Sequence, residues 1–87
     1  MIYHIILHKF STMFNITISH NSLYYKGRLL LWEQNGNVYY RTDINPYVGL
    51  TKANICDPNL FNLIETNLRH VIKECDRDSK IYNTRDE

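Results

Sequence analysis

The dipeptide Asn35-Gly36 restricts this chain more than any other feature. It separates Arg28-Leu-Leu-Leu-Trp-Glu-Gln34 from Asn37-Val-Tyr-Tyr-Arg-Thr-Asp-Ile44, two runs rich in apolar, β-branched and aromatic residues. A type I′ turn needs positive φ at both central residues, which Asn tolerates and Gly adopts freely, so this pattern is the strongest short-range hairpin signal. A two-residue loop sets Gln34 opposite Asn37, Glu33 opposite Val38, Trp32 opposite Tyr39, Leu31 opposite Tyr40 and Leu30 opposite Arg41. Alternation along each strand then gives one face of Leu29, Leu31, Glu33, Val38, Tyr40, Thr42 and Ile44, and another of Leu30, Trp32, Gln34, Asn37, Tyr39, Arg41 and Asp43. The first is expected to meet the core. The second is more apolar and aromatic than a solvated face requires.

The rest of the chain supplies neighbours for that hairpin. Residues 2–10 read as a strand covered on both sides, with residues 1–12 either core or arm, and Phe14, Ile16 and Ile18 alternate with polar residues as a half-buried strand does. His20-Asn21-Ser22 carries turn chemistry before Leu23-Tyr24-Tyr25, and Lys26-Gly27 offers a bend or bulge into the hairpin. After the Asn45-Pro46 turn, Tyr47–Thr51 is a candidate edge strand limited by Pro46 and Gly49. Asp57 and Pro58 define a helix start, and Leu60, Phe61, Ile64, Leu68, Val71, Ile72 and Cys75 form an apolar stripe at helical spacing. The expected fold is therefore α+β: a four- or five-stranded antiparallel sheet, a meander around the 28–44 hairpin, with one C-terminal helix packed on a face. With 87 residues there is room for one domain, read as 1–75, followed by a mixed-charge stretch over 76–87 expected to fray.

Composition narrows the chemistry. Ten basic residues against nine acidic ones remove a global electrostatic argument for nucleic acid. Two cysteines, Cys56 and Cys75, are too few for a disulfide framework and too far apart in sequence for a metal knuckle, so reduced thiols in a cytoplasmic protein are expected, with Cys75 buried and inert. The apolar run Ile2–Leu7 is interrupted by His4 and stopped by His8-Lys9, too short to span a membrane. On a strand, His4 and His8 would lie about 13 Å apart at roughly 3.3 Å per residue, too far to share a metal ion. A Cys–His nucleophile would need the fold to bring Cys56 beside a histidine, no glycine-rich phosphate loop is present, and no carboxylate pair has an apolar setting. No catalytic residue, metal or cofactor is therefore expected, and the chain does not read as an enzyme.

Surface recognition remains. Leu30, Trp32, Tyr39 and Arg41 form a cluster of the residue types that dominate binding hot spots, and Tyr24, Tyr25 and Arg28 would extend it. The competing reading is that a dimer mate, the N-terminal segment or the C-terminal stretch covers this face. Ten Asn, ten Ile and seven Tyr fit an A/T-rich coding sequence, a bias common in phage and mobile-element products. The expected role is a non-enzymatic protein-binding module, in the manner of a phage or mobile-element inhibitor of a host or defence protein. The alternative is a nucleic-acid-binding domain whose Trp32 and Tyr39 stack on bases while Lys26, Arg28, Arg41 and Lys52 meet phosphates.

Asn35-Gly-Asn-Val-Tyr-Tyr-Arg41, then Gly49-Leu-Thr51, then a helix, resembles the three-stranded-sheet-plus-helix arm-binding domains at the amino terminus of some tyrosine integrases. The resemblance implies a sheet that enters the major groove with basic and polar side chains. Here the corresponding face offers Trp32, Tyr39 and Arg41 together with Asp43, and both the balanced charge and the additional strands before residue 27 depart from that pattern.

Overall fold

The computed structural model describes the backbone of residues 2–45 and 47–86 and the side chains of residues 5–45 and 47–77. The order is α1 (Ile2–Phe14), β1 (Ile18–Ser19), β2 (Ser22–Tyr25), β3 (Arg28–Gln34), β4 (Asn37–Tyr40), β5 (Thr51–Lys52) and α2 (Leu60–Asp86). The five strands lie side by side in chain order, each antiparallel to the next. The class is α+β and the sheet is the expected meander, now with a helix at each end of the chain.

Three consecutive two-residue turns build the sheet. His20-Asn21 (φ 51° and 59°), Lys26-Gly27 (50° and 82°) and Asn35-Gly36 (55° and 80°) each hold two positive-φ residues. They are closed by the pairs Ser19–Ser22, Tyr25–Arg28 and Gln34–Asn37. Such turns twist in the sense that flanking strands require, so short hairpins close without splaying. The central hairpin has the expected register from Gln34–Asn37 to Leu31–Tyr40, and the Arg41 amide still donates to the Leu30 carbonyl at 2.8 Å where β4 ends. Lys26-Gly27 is thus a tight turn, and the bulge lies elsewhere. Leu23 faces Leu31 while Tyr24 faces Leu29, which leaves Leu30 as the extra residue of β3. A bulge interrupts strict alternation. Accordingly Leu30 and Leu31 are both fully buried, whereas Leu29, expected in the core, is only partly so.

Residues 2–14 are helical, not the strand expected over 2–10, and the strand expected from Phe14 through Ile18 is shortened to β1 at Ile18–Ser19. Ile6, Leu7 and Phe10 are buried and Met13 and Phe14 pack at the margin of the core, while Ile5, His8, Lys9 and Thr12 are exposed. Burial of this stripe outweighs the strand preference of the β-branched isoleucines, since propensity is worth only tenths of a kcal/mol per residue. The helix stops at Asn15, whose φ is 55°, with the Ile16 amide donating to the Ser11 carbonyl at 2.9 Å and the Asn15 amide to the Thr12 carbonyl at 3.4 Å. This is a Schellman cap, with Asn in the position Gly usually takes. Residues 5–14 therefore belong to the core and are not an arm.

The second helix begins at Leu60, two residues after the Pro58 start that the sequence indicates, behind a turn in which the Asp57 carboxylate accepts the Asn59 amide at 2.9 Å and the Asp57 carbonyl accepts the Leu60 amide at 3.1 Å. Leu60, Ile64, Leu68, Val71 and Cys75 are buried and Phe61 and Ile72 partly so. It continues to Asp86, beyond the Cys75 boundary expected for it, and the side chains of 78–87, including Ile81-Tyr82, lie outside the described residues. Both helices join Leu23, Leu30, Leu31, Val38, Tyr40 and Ala53 in a single apolar cluster. Reciprocal aromatic contacts tie the helices together: Phe10 lies 6.3 Å from Phe61, Lys9 sits 5.4 Å over the Phe61 ring, and Arg69 sits 5.2 Å over Phe14. Such cation–π contacts contribute about 0.5–1 kcal/mol each at exposed sites.

The turn geometry separates two glycines by a single substitution. Neither Gly36 nor Gly49 has an atom within 4 Å of an added Cβ, but only Gly36 has positive φ. Gly36→Ala is expected to lower stability by about 1 kcal/mol through backbone strain alone. Gly49→Ala is expected to be neutral or stabilising by a few tenths of a kcal/mol. Urea denaturation midpoints of the two variants measure the difference.

Candidate docking face on the open side of the sheet

Register assigns the faces. Leu23, Leu31, Val38 and Tyr40 point to the side that the helices cover. On the other side, successive cross-strand pairs set Ser19, Ser22, Trp32, Tyr39 and Lys52 in one row from β1 to β5. Tyr24 and Leu29 form the next pair on that side, and Gln34 and Asn37 flank the row toward the Asn35-Gly36 turn. None of these residues belongs to the core cluster or packs at its margin.

Trp32 and Tyr39 lie with ring centroids 5.7 Å apart and planes 37° to each other, both partly exposed. The pair stabilises the sheet, as cross-strand aromatics do by roughly 0.2–1 kcal/mol. It also leaves polar capacity unused: neither the Trp32 indole N–H nor the Tyr39 hydroxyl has a hydrogen-bond partner among the described residues. Ser22, by contrast, is buried and donates its hydroxyl to the His20 carbonyl at 3.2 Å. Tyr24 is 51% exposed.

Of the seven residues put forward as a partner surface, Tyr24 is exposed on the open side and the other six divide into three settings. Trp32 and Tyr39 come together as expected. Leu30 is 0% exposed, drawn into the core by the bulge, and Arg41 is only 8% exposed, so neither is presented to a partner. Tyr25 and Arg28 face each other at the Lys26-Gly27 turn on the helix side, where the Tyr25 hydroxyl donates to Asp76 Oδ1 of α2 at 2.7 Å. Lys52 and Ser22 enter the row only through the outer strand pairings, which local sequence does not reveal.

Arg41 organises the loop after β4. Its Nε donates to the Leu29 carbonyl at 2.6 Å, and one terminal nitrogen lies 3.3–3.4 Å from the carbonyls of Asp43, Asn45 and Val48. The Asp43 carboxylate accepts the Asn45 amide, and the Asn45 side-chain oxygen accepts that of Tyr47. These bonds hold 43–45 and 47–48 out of strand geometry, which is why the edge strand is Thr51–Lys52 and does not begin at Tyr47.

Asp76 Oδ1 also meets Lys26 Nζ at 2.8 Å, so one carboxylate oxygen joins the β2–β3 turn to α2. The hydrogen bond to Asp76, followed by partial burial, raises the Tyr25 pKa above its usual 10.0, and the Asp76 contact raises that of Lys26 above 10.5. Four residues apart on α2, Arg69 Nε donates to the Glu65 carboxylate at 2.8 Å.

Because residues 2–14 are helical, the strand spacing used for His4 and His8 does not apply; His8 is exposed and the His4 side chain lies outside the described residues. Among the described residues no group of three or more His, Cys, Asp or Glu is placed to hold a metal ion. Cys75 is buried and Cys56 exposed. No described helix is long and apolar enough to cross a membrane. Comparison with protein-family models, curated proteins and solved structures gives no match.

Two outcomes follow from these contacts. Arg41→Lys, which cannot keep the Nε bond and the terminal contacts together, is expected to destabilise by about 1–3 kcal/mol and to speed amide exchange across 43–50. Tyr25 and Lys26 both have folded pKa values above their unfolded ones, so their contribution is complete below pH 10.0 and 10.5 respectively and is lost as pH rises through the raised values. The denaturation midpoint should therefore fall more steeply above pH 10.0 in the wild type than in Asp76→Asn.

Proposed function

We propose that this chain is a non-enzymatic protein-binding module that engages its partner through the open face of the sheet, with Trp32 and Tyr39 as anchors and Tyr24 and Lys52 beside them. The observation that carries this reading is the paired, partly exposed rings on a side of the sheet where no core residue lies. Trp and Tyr supply large, rigid contact area with few rotors and a polar tip each, which is why they dominate binding hot spots. A role as a phage or mobile-element inhibitor of a host or defence protein, in the cytoplasm of the producing or host cell, fits a composition rich in Asn, Ile and Tyr, as an A/T-rich coding sequence would give.

The disposition of cations favours protein over nucleic acid. Four were put forward to meet phosphates. Arg41 is occupied by backbone carbonyls, Lys26 by Asp76, and Arg28 lies on the helix side, leaving Lys52 alone beside the rings. Strong phosphate binding depends on several such charges acting together.

The test is affinity capture from host extract with immobilised wild type and the Trp32→Ala/Tyr39→Ala variant, the latter first shown to fold by circular dichroism. A protein retained by the wild type and lost by the variant is the expected outcome. Equal recovery of every partner by both would remove the assigned face, recovery abolished by nuclease would transfer it to nucleic acid, and a concentration-dependent dimer dissociated by the same substitutions would make a second copy its occupant.

A further inference from the structure

We propose that Asn35-Gly36 is a site of spontaneous chemical modification, where Asn35 closes to a succinimide and opens to isoaspartate, and that the Glu33 carboxylate restrains the reaction by holding the Gly36 amide proton. The inference concerns the turn itself and does not depend on what docks on the open face.

The reaction makes three demands, and one dipeptide of this chain meets them. The backbone nitrogen of the following residue must be open to the asparagine side-chain carbon, the carboxamide must be untethered, and water must have access. Of the ten asparagines, Asn35 alone is followed by glycine. Each of the others precedes a side chain that crowds the nitrogen, or Pro46, which has no N–H at all. Asn35 and Gly36 are both exposed, and no atom lies within 4 Å of a Cβ placed on Gly36. The Asn35 carboxamide has no hydrogen-bond partner among the described residues. By contrast, the side-chain oxygens of Asn45 and Asn54 accept the amides of Tyr47 and Cys56, and the Asn67 carboxamide donates to the Leu63 carbonyl.

The chemistry balances with water as the only co-reactant. The Gly36 nitrogen bonds to Asn35 Cγ, the Cγ–Nδ2 bond breaks, and ammonia leaves with the proton that the Gly36 amide gives up. Water then opens the ring at either carbonyl, to isoaspartate or to aspartate.

Glu33 sets the rate. The nitrogen attacks only as it sheds its proton, and the Gly36 amide donates that proton to Glu33 Oε1 at 2.8 Å. A hydrogen bond made by the neutral N–H favours the protonated form, and the adjacent negative charge opposes a nascent amide anion. The product bears on the surface nearby. Isoaspartate routes the main chain through the side-chain carbon and so lengthens a two-residue turn whose closure fixes the Gln34–Asn37, Glu33–Val38 and Trp32–Tyr39 pairs. Modification at the tip therefore loosens the aromatic pair.

Full-length wild type and Glu33→Gln are incubated at neutral pH, folded and in denaturing urea. Conversion is followed by fragmentation mass spectrometry of the tryptic peptide 29–41 and by labelling with a protein isoaspartate methyltransferase. Asn35 is expected to convert before any other asparagine, and several-fold faster in folded Glu33→Gln than in folded wild type. In urea the two chains should convert equally fast, because unfolding releases Gly36 from Glu33. The site is overturned if Asn35 stays intact in folded Glu33→Gln or if another asparagine converts first. The restraint is overturned if the folded chains convert equally, if wild type is the faster, or if the faster conversion comes with equally faster amide exchange across 31–40, which would assign it to fraying. Trp32 is the only tryptophan, so the purified isoaspartyl form should show altered Trp32 emission. An unchanged spectrum overturns the link between the turn and the aromatic pair.

Discussion

A sheet has two faces, and the helices of this protein cover one. Everything else in the structure depends on that one-sided burial. Ile6, Leu7 and Phe10 of α1 and Leu60, Ile64, Leu68, Val71 and Cys75 of α2 join Leu23, Leu30, Leu31, Val38 and Tyr40 in a single cluster. Each fully buried large side chain contributes about 1.5–3 kcal/mol, and a domain of this size has no second core to fall back on. The Phe10–Phe61 contact and the Lys9–Phe61 and Arg69–Phe14 pairs fix how the helices meet, and Asp76 holds α2 to the β2–β3 turn through Tyr25 and Lys26. The opposite face is then left to shorter-range interactions.

Those interactions sort the aromatic and cationic residues into structural and presented groups. Arg41 and Tyr25 are of the types that build binding sites, yet one is committed to the carbonyls of the 43–48 loop and the other to Asp76. Trp32 and Tyr39 touch each other and nothing in the core. A buried guanidinium needs hydrogen-bond acceptors, and the backbone carbonyls of Leu29 in β3 and of Asp43, Asn45 and Val48 in the loop after β4 supply them without a carboxylate. The result is an aromatic row with one lysine beside it, poorly suited to a chain of phosphates.

The tight turns matter to that surface because they set its register. Three two-residue turns in succession keep β1 to β4 in step, and five non-glycine residues accept positive φ, four of them in these turns and Asn15 at the end of α1. Asn supplies three of the five, since its short polar side chain tolerates the left-handed region. These three asparagines thus have conformational roles.

Local pattern alone determined the central hairpin, its register, the meander and the stripe of α2. Asn35-Gly36 and the 60–75 periodicity act within a few residues and meet no competitor. The Trp32–Tyr39 pair was legible for the same reason. Only the tertiary structure decided that residues 2–14 are a helix, because Ile-rich segments suit either element and the choice turns on which surface is there to cover them. It also decided the bulge at Leu30, the burial of Arg41 and the place of Lys52, since each depends on a partner strand or loop distant in sequence. The hairpin's faces were predicted by alternation, and one inserted residue was enough to move Leu30 from the open face into the core.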